Sequence, residues 1–272
     1  MIVIGEKING TRKAVWAAIR DRDAAFIKAL ATSQVDVGCD YLDVNAGTSP
    51  EREPDDLAWL IETVQSVTDV PLCLDSANPN ALKAGLAQVD KTPIINSVSG
   101  EKKRIEGVLP LALEYKTSLI LLALDDTHGI PDSCEGRLKI VHRLVGLAKD
   151  GGLLENQLYV DPVVTTISTG DRNALTTFDS MREVSGAYPE AHITCGLSNI
   201  SFGMPLRSLI NQTFICMCIQ MGLDSAIIDP NDRSLMGVML AAEMLVGKDS
   251  YCQRFTRAFR SNRIGTTDCI NT

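Results

Sequence analysis

The chain contains no CxxC pair and no Cys/His ligand spacing, although its 272 residues include eight cysteines. Neither a structural zinc site nor a disulfide framework is therefore expected. Histidine is scarce, with only His128, His142 and His192, and no metal site is expected from them. Long apolar runs are missing too. The longest, SLILLAL at 118–124, has the length of a buried strand rather than of a bilayer span. No block of Lys or Arg stands out in a chain of net charge −8, which argues against a nucleic-acid partner. The first ten residues, MIVIGEKING, lack a basic region followed by a long apolar run, so no secretory signal is expected and the cytoplasm is the expected compartment.

Hydrophobic residues make up 45% of the chain and charged residues 22%, enough to build a sizeable core. Short apolar runs recur: MIVIGEKIN (1–9), YLDVNAG (41–47), PLCLDS (71–76), PIINSVSG (93–100), SLILLALDD (118–126), LYVDPVV (158–164), HITCGLSNIS (192–201) and SAIIDP (225–230). Segments with helical spacing lie between them, among them 23–38, 55–67, 78–89, 103–116, 135–150, 174–186, 205–222 and 234–245. Strand alternates with helix throughout, as in parallel β/α units, and the runs are apolar enough to be covered on both faces. Gly38, Gly151 and Gly222 are placed like helix C-terminal caps, and Asn78-Pro79 like a helix start. Eight such units close naturally into a ring, the (β/α)₈ or TIM barrel, as one domain over residues 1–260 with a tail at 261–272.

The runs end in short polar side chains: Asn9, Asn45 after Asp43, Asp75, Asn96, Asp126 after Asp125, Asp161, Asn199 and Asp229. In a barrel these ends share one rim, where active sites sit. Turns and helix caps also favour Asp and Asn, which accounts for Asp229 before Pro230. It accounts less well for Asp75, Asn96, Asp161 and Asn199, which follow directly on buried-looking residues. A buried carboxylate is costly without a donor facing it.

Several ligand classes fit this rim badly. The eighth run ends in IIDPND, whose carboxylates repel a phosphate. A metallohydrolase would need histidines at strand ends, and a Schiff-base enzyme a strand-end lysine, for which Lys7 is the only candidate. A neutral, planar heterocycle with a row of N–H donors and ring-nitrogen acceptors suits carboxylates and amides better, and a pterin is such a molecule.

GEKING at 5–10, LDVNAG at 42–47, CLDSANP at 73–79, IINSVSGE at 94–101, YVDP at 159–162 and above all GLSNISFGMPLRSLINQTF at 196–214 resemble the pterin-binding methyltransferases. These include the methyltetrahydrofolate–corrinoid protein methyltransferases of acetogenic bacteria, the folate domain of cobalamin-dependent methionine synthase, and related demethylase components. The resemblance runs from Met1 to about Phe255 and implies a TIM barrel that holds tetrahydrofolate at its C-terminal rim, usually as a homodimer. It implies that Asp75, Asn96 and Asp161 hydrogen-bond the pterin ring. Asn199 would be the catalytic residue, facing N5, the atom that gains or loses the methyl group. Gly196 and Ser198 would shape the floor, and Asp43 would support the network from behind. Arg207 would lie near the aminobenzoyl-glutamate tail or else form a helix ion pair, with Glu6 and Asn9 as rim or tail contacts. Tetrahydrofolate or 5-methyltetrahydrofolate would be the substrate. The cobalamin-type cofactor would arrive on a separate corrinoid protein, since no cobalamin-ligating DxHxxG motif is present. The alternatives are a dihydropteroate synthase-like enzyme and a noncatalytic folate-binding protein. The former is expected to end its seventh strand in a serine-arginine-lysine signature, where this chain reads SNIS with no basic residue between 195 and 206.

Overall fold

A computed structural model of the chain describes residues 1–265. Eight parallel strands run β1 (Ile2–Asn9), β2 (Tyr41–Asn45), β3 (Leu72–Asp75), β4 (Ile94–Ser99), β5 (Ser118–Leu122), β6 (Leu158–Asp161), β7 (His192–Ile193) and β8 (Ser225–Ile228). Strands β1 to β7 pair in sequence order, and β1 also pairs with β8. The ring closes between β7 and β8. There the Ile227 N–H donates to the Cys195 carbonyl at 3.0 Å, and Gly196 bridges to Ile227. Asp224 clips the lower end of this seam, accepting from the Ile193 N–H at 2.8 Å and meeting His192 Nδ1 at 2.8 Å. The result is the TIM barrel that the eight apolar runs predict.

The helices cover the outside. In chain order they are α1 (Lys13–Asp21), α2 (Ala24–Asp36), α3 (Glu53–Gln65), α4 (Pro79–Leu86), α5 (Lys102–Gly107), α6 (Leu109–Tyr115), α7 (Cys134–Asp150), α8 (Asn173–Ala187), α9 (Arg207–Gln220), α10 (Arg233–Leu245) and α11 (Gln253–Arg260). Side-chain oxygens of Asp23, Asn78, Ser133 and Asp232 cap α2, α4, α7 and α10, satisfying amides that the first helical turn leaves open. The helix expected over 103–116 is split into α5 and α6 around Val108. Pro110 has no N–H to continue the ladder across that point. Gly151 is the C-terminal cap of α7, as expected, and Gly152 after it takes the positive φ. The sequence reading also passed over α1 and α11. The first buries only Val15, Ala18 and Ile19, and the second only Ala258, so neither carries a broad apolar stripe. The start of the stretch read as a tail packs on the barrel, with Ile264 buried; residues 266–272 lie outside the described part.

Two apolar clusters result. The larger fills the space between strands and helices. The smaller plugs the inside of the barrel with Ile4, Cys73, Ile94, Ile120 and Tyr159, joined by Ile2, Tyr41, Leu122 and Ile227. Side chains of one strand alternate between its faces, so the inward residue two places further on stands one level higher. Above Cys73, Ile94, Tyr159 and Ile227 these residues are Asp75, Asn96, Asp161 and Asp229; above Ile4 stands Glu6, and above Tyr41 come Asp43 and then Asn45. Strand parity thus places a polar storey on an apolar floor.

The first two rim loops are locked by close backbone contact. A Cβ added at Gly10 would lie 1.9 Å from the Ala46 carbonyl oxygen, and one at Gly47 would lie 2.7 Å from the Gly10 carbonyl carbon. Only the absence of both side chains lets GEKING and LDVNAG touch here. Gly10→Ala is expected to lower the stability measured by urea unfolding by about 3 kcal/mol or to prevent folding. An unchanged midpoint would show that these loops can separate without cost.

Candidate active site at the rim of the barrel

The polar storey is a connected network. Asn96 Nδ2 donates to Asp43 Oδ1 at 3.3 Å, and Asn45 Nδ2 donates to Asp75 Oδ2 at 2.8 Å. Asp75 and Asn96 are direct partners in the β3–β4 register. Asp43 is buried behind them, held between β2 and β3 where the Cys73 thiol donates to it. Burial pushes the Asp43 carboxyl up from its ordinary value, and the charge of Asp75 pushes it further. Asp75 is also raised by burial, against the opposing Asn45 hydrogen bond and the charge of Arg104.

Asp161 ends β6 and is buried. Its Oδ1 accepts from the Val163 N–H at 2.7 Å. Burial lifts its pKa to about 6, with the Val163 and Gly196 amides and the Arg137 charge acting in the opposite direction. No ion pair involves Asp43, Asp75 or Asp161 among the described residues. Carboxylates that are desolvated yet lack a cation in contact are poised to accept from a ligand's N–H groups.

The run 192–201 departs from its expected form. As a strand it is only two residues long, and Leu197–Ser201 forms a 3₁₀ turn, so Asn199 stands on that turn rather than at a strand end. The turn brings the amide back beside Gly196, whose N–H faces Asp161. A Cβ at Gly196 would meet Asn199 Nδ2 at 3.0 Å, so the glycine leaves room for the amide above the Asp161 side of the ring. Asn199 is exposed, and its side chain has no hydrogen bond among the described residues. Ser198 presents its carbonyl to Arg207 Nη2 at 2.8 Å, while Arg207 Nε donates to Ser201 Oγ at 3.1 Å. Arg207 therefore braces the turn that carries Asn199 and makes no helix ion pair.

Glu6 sits above Ile4, pairs with Arg12 at 3.2 Å and is raised chiefly by burial. Asn9 caps its own loop: its Oδ1 accepts from Thr11 Oγ1 at 2.7 Å and from the Thr11 N–H at 3.0 Å. Lys7 pairs with Asp229, so the lone strand-end lysine is engaged as an ion-pair partner.

Asn45 is the site residue that the sequence reading noted on the rim and left without a role. Its Nδ2 is bound to Asp75, but its Oδ1 is buried and has no partner. A buried acceptor left open on the inner face beside a carboxylate matches a ligand that carries adjacent donors. Alternation from Tyr41 through Asp43 was the signal that could have found it.

Residues 5–229 match the family described as pterin binding enzyme. The chain is 40% identical to the methylcorrinoid:tetrahydrofolate methyltransferase of Eubacterium limosum, over 97% of this chain and 98% of that protein. It is 28% identical to the methionine synthase of Mycobacterium tuberculosis over 84% of this chain, but spans only 20% of that longer protein. Among solved structures it is similar to a dihydropteroate synthase from Clostridium difficile crystallised in the presence of pteroic acid, with a TM-score of 0.70 and 16% identity over 90% of this chain and 96% of that one. A dihydropteroate synthase from Xanthomonas albilineans with 4-aminobenzoic acid gives a TM-score of 0.68 at 15% identity, over 92% of this chain and 93% of that one. At such identity these two likenesses concern the fold alone.

The raised Asp161 has a consequence for stability. Its folded pKa of about 6 lies above the ordinary aspartate value, so between about pH 4 and 6 the folded state holds the proton more tightly than the unfolded chain. Raising pH through that window removes stability from the ligand-free protein, and lowering it again restores it. Asp161→Asn cannot ionise and is expected to be more stable than the wild type by about 2 kcal/mol near neutral pH, with the gap closing as pH falls towards about 4. A pH-independent gap in urea unfolding would contradict the assignment.

Proposed function

Because the chain belongs to the pterin-binding enzyme family, we propose that it is a methyltransferase moving a methyl group between a corrinoid protein and N5 of tetrahydrofolate. The observation that carries this reading is the ring of Asp75, Asn96, Asp161 and Asn45, in which buried carboxylates and an open amide acceptor face inward without cations. A pterin offers its exocyclic amine and ring N–H groups to such acceptors, and its ring nitrogens to the amides. Asp75, Asn96 and Asp161 hold the ring, Asp43 orients Asn96, and Gly196 and Ser198 form the wall below Asn199. A pyrophosphate-bearing substrate, as a pteroate-forming synthase would need, suits the acidic rim and the neutral SNIS turn poorly.

The methylated corrinoid supplies an electrophilic methyl carbon whose bonding pair stays on cobalt when the bond breaks. N5 must offer a free lone pair to accept that carbon, and in the reverse direction it leaves more readily when a donor stabilises its returning pair. An amide serves both directions. Asn199 accepts from a protonated N5 through its carbonyl, or donates through its NH₂ after a turn of the side chain. An aspartate would favour the protonated form throughout, and a histidine would titrate near neutral pH. Because the Asn199 side chain is otherwise unengaged, this rotation costs no protein hydrogen bond. Arg207, by bracing the 198–201 turn, keeps the amide over the ring rather than binding the folate tail.

The corrinoid reaches this rim on its own protein, which docks over the exposed loops around Asn199. The proposal also includes a cytoplasmic homodimer. Exposed Leu206, Leu209 and Met217 share one side of α9 and its entry, giving an apolar surface that a second subunit could cover. No helix among the described residues is long and apolar enough to cross a membrane.

With free methylcobalamin and tetrahydrofolate, Asn199→Ala is expected to cut turnover by about 100-fold while folate affinity stays within about threefold of wild type. Equal losses in both would make Asn199 a binding contact only. Folate binding without methyl transfer in the wild type would favour the noncatalytic binder.

A further inference from the structure

Arg137 of α7 is 2% exposed, and no carboxylate pairs with it among the described residues. Its guanidinium is spent on neutral acceptors. Nε donates to the Pro131 carbonyl at 2.9 Å, and Nη1 reaches the carbonyls of Pro162 at 3.0 Å and Val163 at 2.9 Å and the Thr177 hydroxyl at 3.3 Å. A buried cation without an ion-pair partner is a poor device for stability, because apolar side chains of similar size commonly serve as well. Its carbonyl acceptors belong to two rim loops, the one after β5 and the one that begins immediately after Asp161, and Thr177 adds a hydroxyl from α8.

Val163 adds a second, independent sign. It has φ of +65°, a left-handed conformation that is strained for a β-branched residue. Both of its peptide groups are pinned in that state. Its N–H donates to Asp161 Oδ1 at 2.7 Å, and its carbonyl accepts from Arg137 at 2.9 Å. Released from Arg137, the turn would relax towards negative φ and swing the N–H off the carboxylate.

We propose that Arg137 is a positioning residue that holds the 162–163 peptides in their strained turn, so that the Val163 N–H fixes the rotamer in which Asp161 faces the pterin. This rests on the reading of Asp161 as a pterin ligand. Arg137 touches neither substrate nor reacting atoms. It acts through Val163, and its grip on Pro131 ties the loop after β5 to the same geometry.

The test compares 5-methyltetrahydrofolate affinity by calorimetry in the full chain between the wild type and three variants. Arg137→Met is expected to bind about tenfold more weakly than wild type while retaining the far-ultraviolet circular dichroism of the fold. Adding Val163→Gly to it is expected to recover at least about threefold, since glycine adopts the left-handed turn without strain. A role in general stability would give no such rescue. If Arg137→Met does not fold, Arg137→Lys, which keeps the charge but lacks the fork, takes its place with and without Val163→Gly. Unchanged affinity in the Arg137 variant, or no recovery in the double variant, overturns the inference. Asp161→Asn separates the two levels: if it binds as tightly as wild type, the placement of the pterin at Asp161 fails and the inference falls with it. If Asp161→Asn is impaired and the Arg137 variant is not, the inference alone falls.

Discussion

The structure depends on holding three carboxylates, Asp43, Asp75 and Asp161, above an apolar floor and away from cations. Burial raises all three, and Asp43 and Asp75 also repel each other. Basic side chains would be an ordinary remedy, and the barrel supplies amides in contact with the carboxylates: Asn96 on Asp43, Asn45 on Asp75 and the Val163 N–H on Asp161. These contacts satisfy part of each carboxylate. The remaining acceptor capacity, with the open Oδ1 of Asn45, is directed at whatever occupies the ring. The ligand-free protein thus gives up stability to keep acceptors ready, a common feature of binding sites.

Local features of the chain serve this arrangement. Strand parity sets the polar storey two residues above the inner plug of Ile4, Cys73, Ile94, Ile120 and Tyr159. Gly10 and Gly47 let the first two rim loops meet backbone to backbone. At the seam of the barrel, the shortness of β7 frees residues 197–201 to turn inward, and Arg207 braces the turn. Basic side chains are consumed by this scaffolding. Lys7 pairs with Asp229, Arg12 with Glu6, and Arg137 holds backbone carbonyls. What remains on the inner face is neutral amide and carboxylate without an ion-pair partner among the described residues, which suits the flat, uncharged ring of the proposed substrate.

Much of this was legible in the sequence. All eight strands lie within the apolar runs, and Asp75 and Asp161 end theirs as expected, because hydrophobic runs and their polar exits are local properties of the chain; Asn96 instead stands inside β4, which runs on to Ser99. Tertiary effects were not legible. Nothing local shows that β7 stops after two residues, since its length is set by the closure against β8. The bonds from Thr11 to the Asn9 side-chain carbonyl oxygen depend on how the loop after β1 turns. The Ser198 carbonyl and Ser201 hydroxyl that Arg207 reaches come from the turn before its helix, which no helical pattern shows. Arg137 carried no signal at all within a helical pattern, because its meaning comes from loops 6, 25 and 26 residues away in sequence.

The most direct test is the proton balance of ligand binding. If the buried carboxylates wait for a ligand's N–H groups, binding favours their ionised forms, and 5-methyltetrahydrofolate should drive protons from the protein near the pKa of Asp161, about 6. Calorimetric titrations near that pH, repeated in buffers of different ionisation enthalpy, should show net proton release that fades at higher pH. Binding without proton exchange there, or with proton uptake, would mean that the ring of carboxylates is not where the pterin is held.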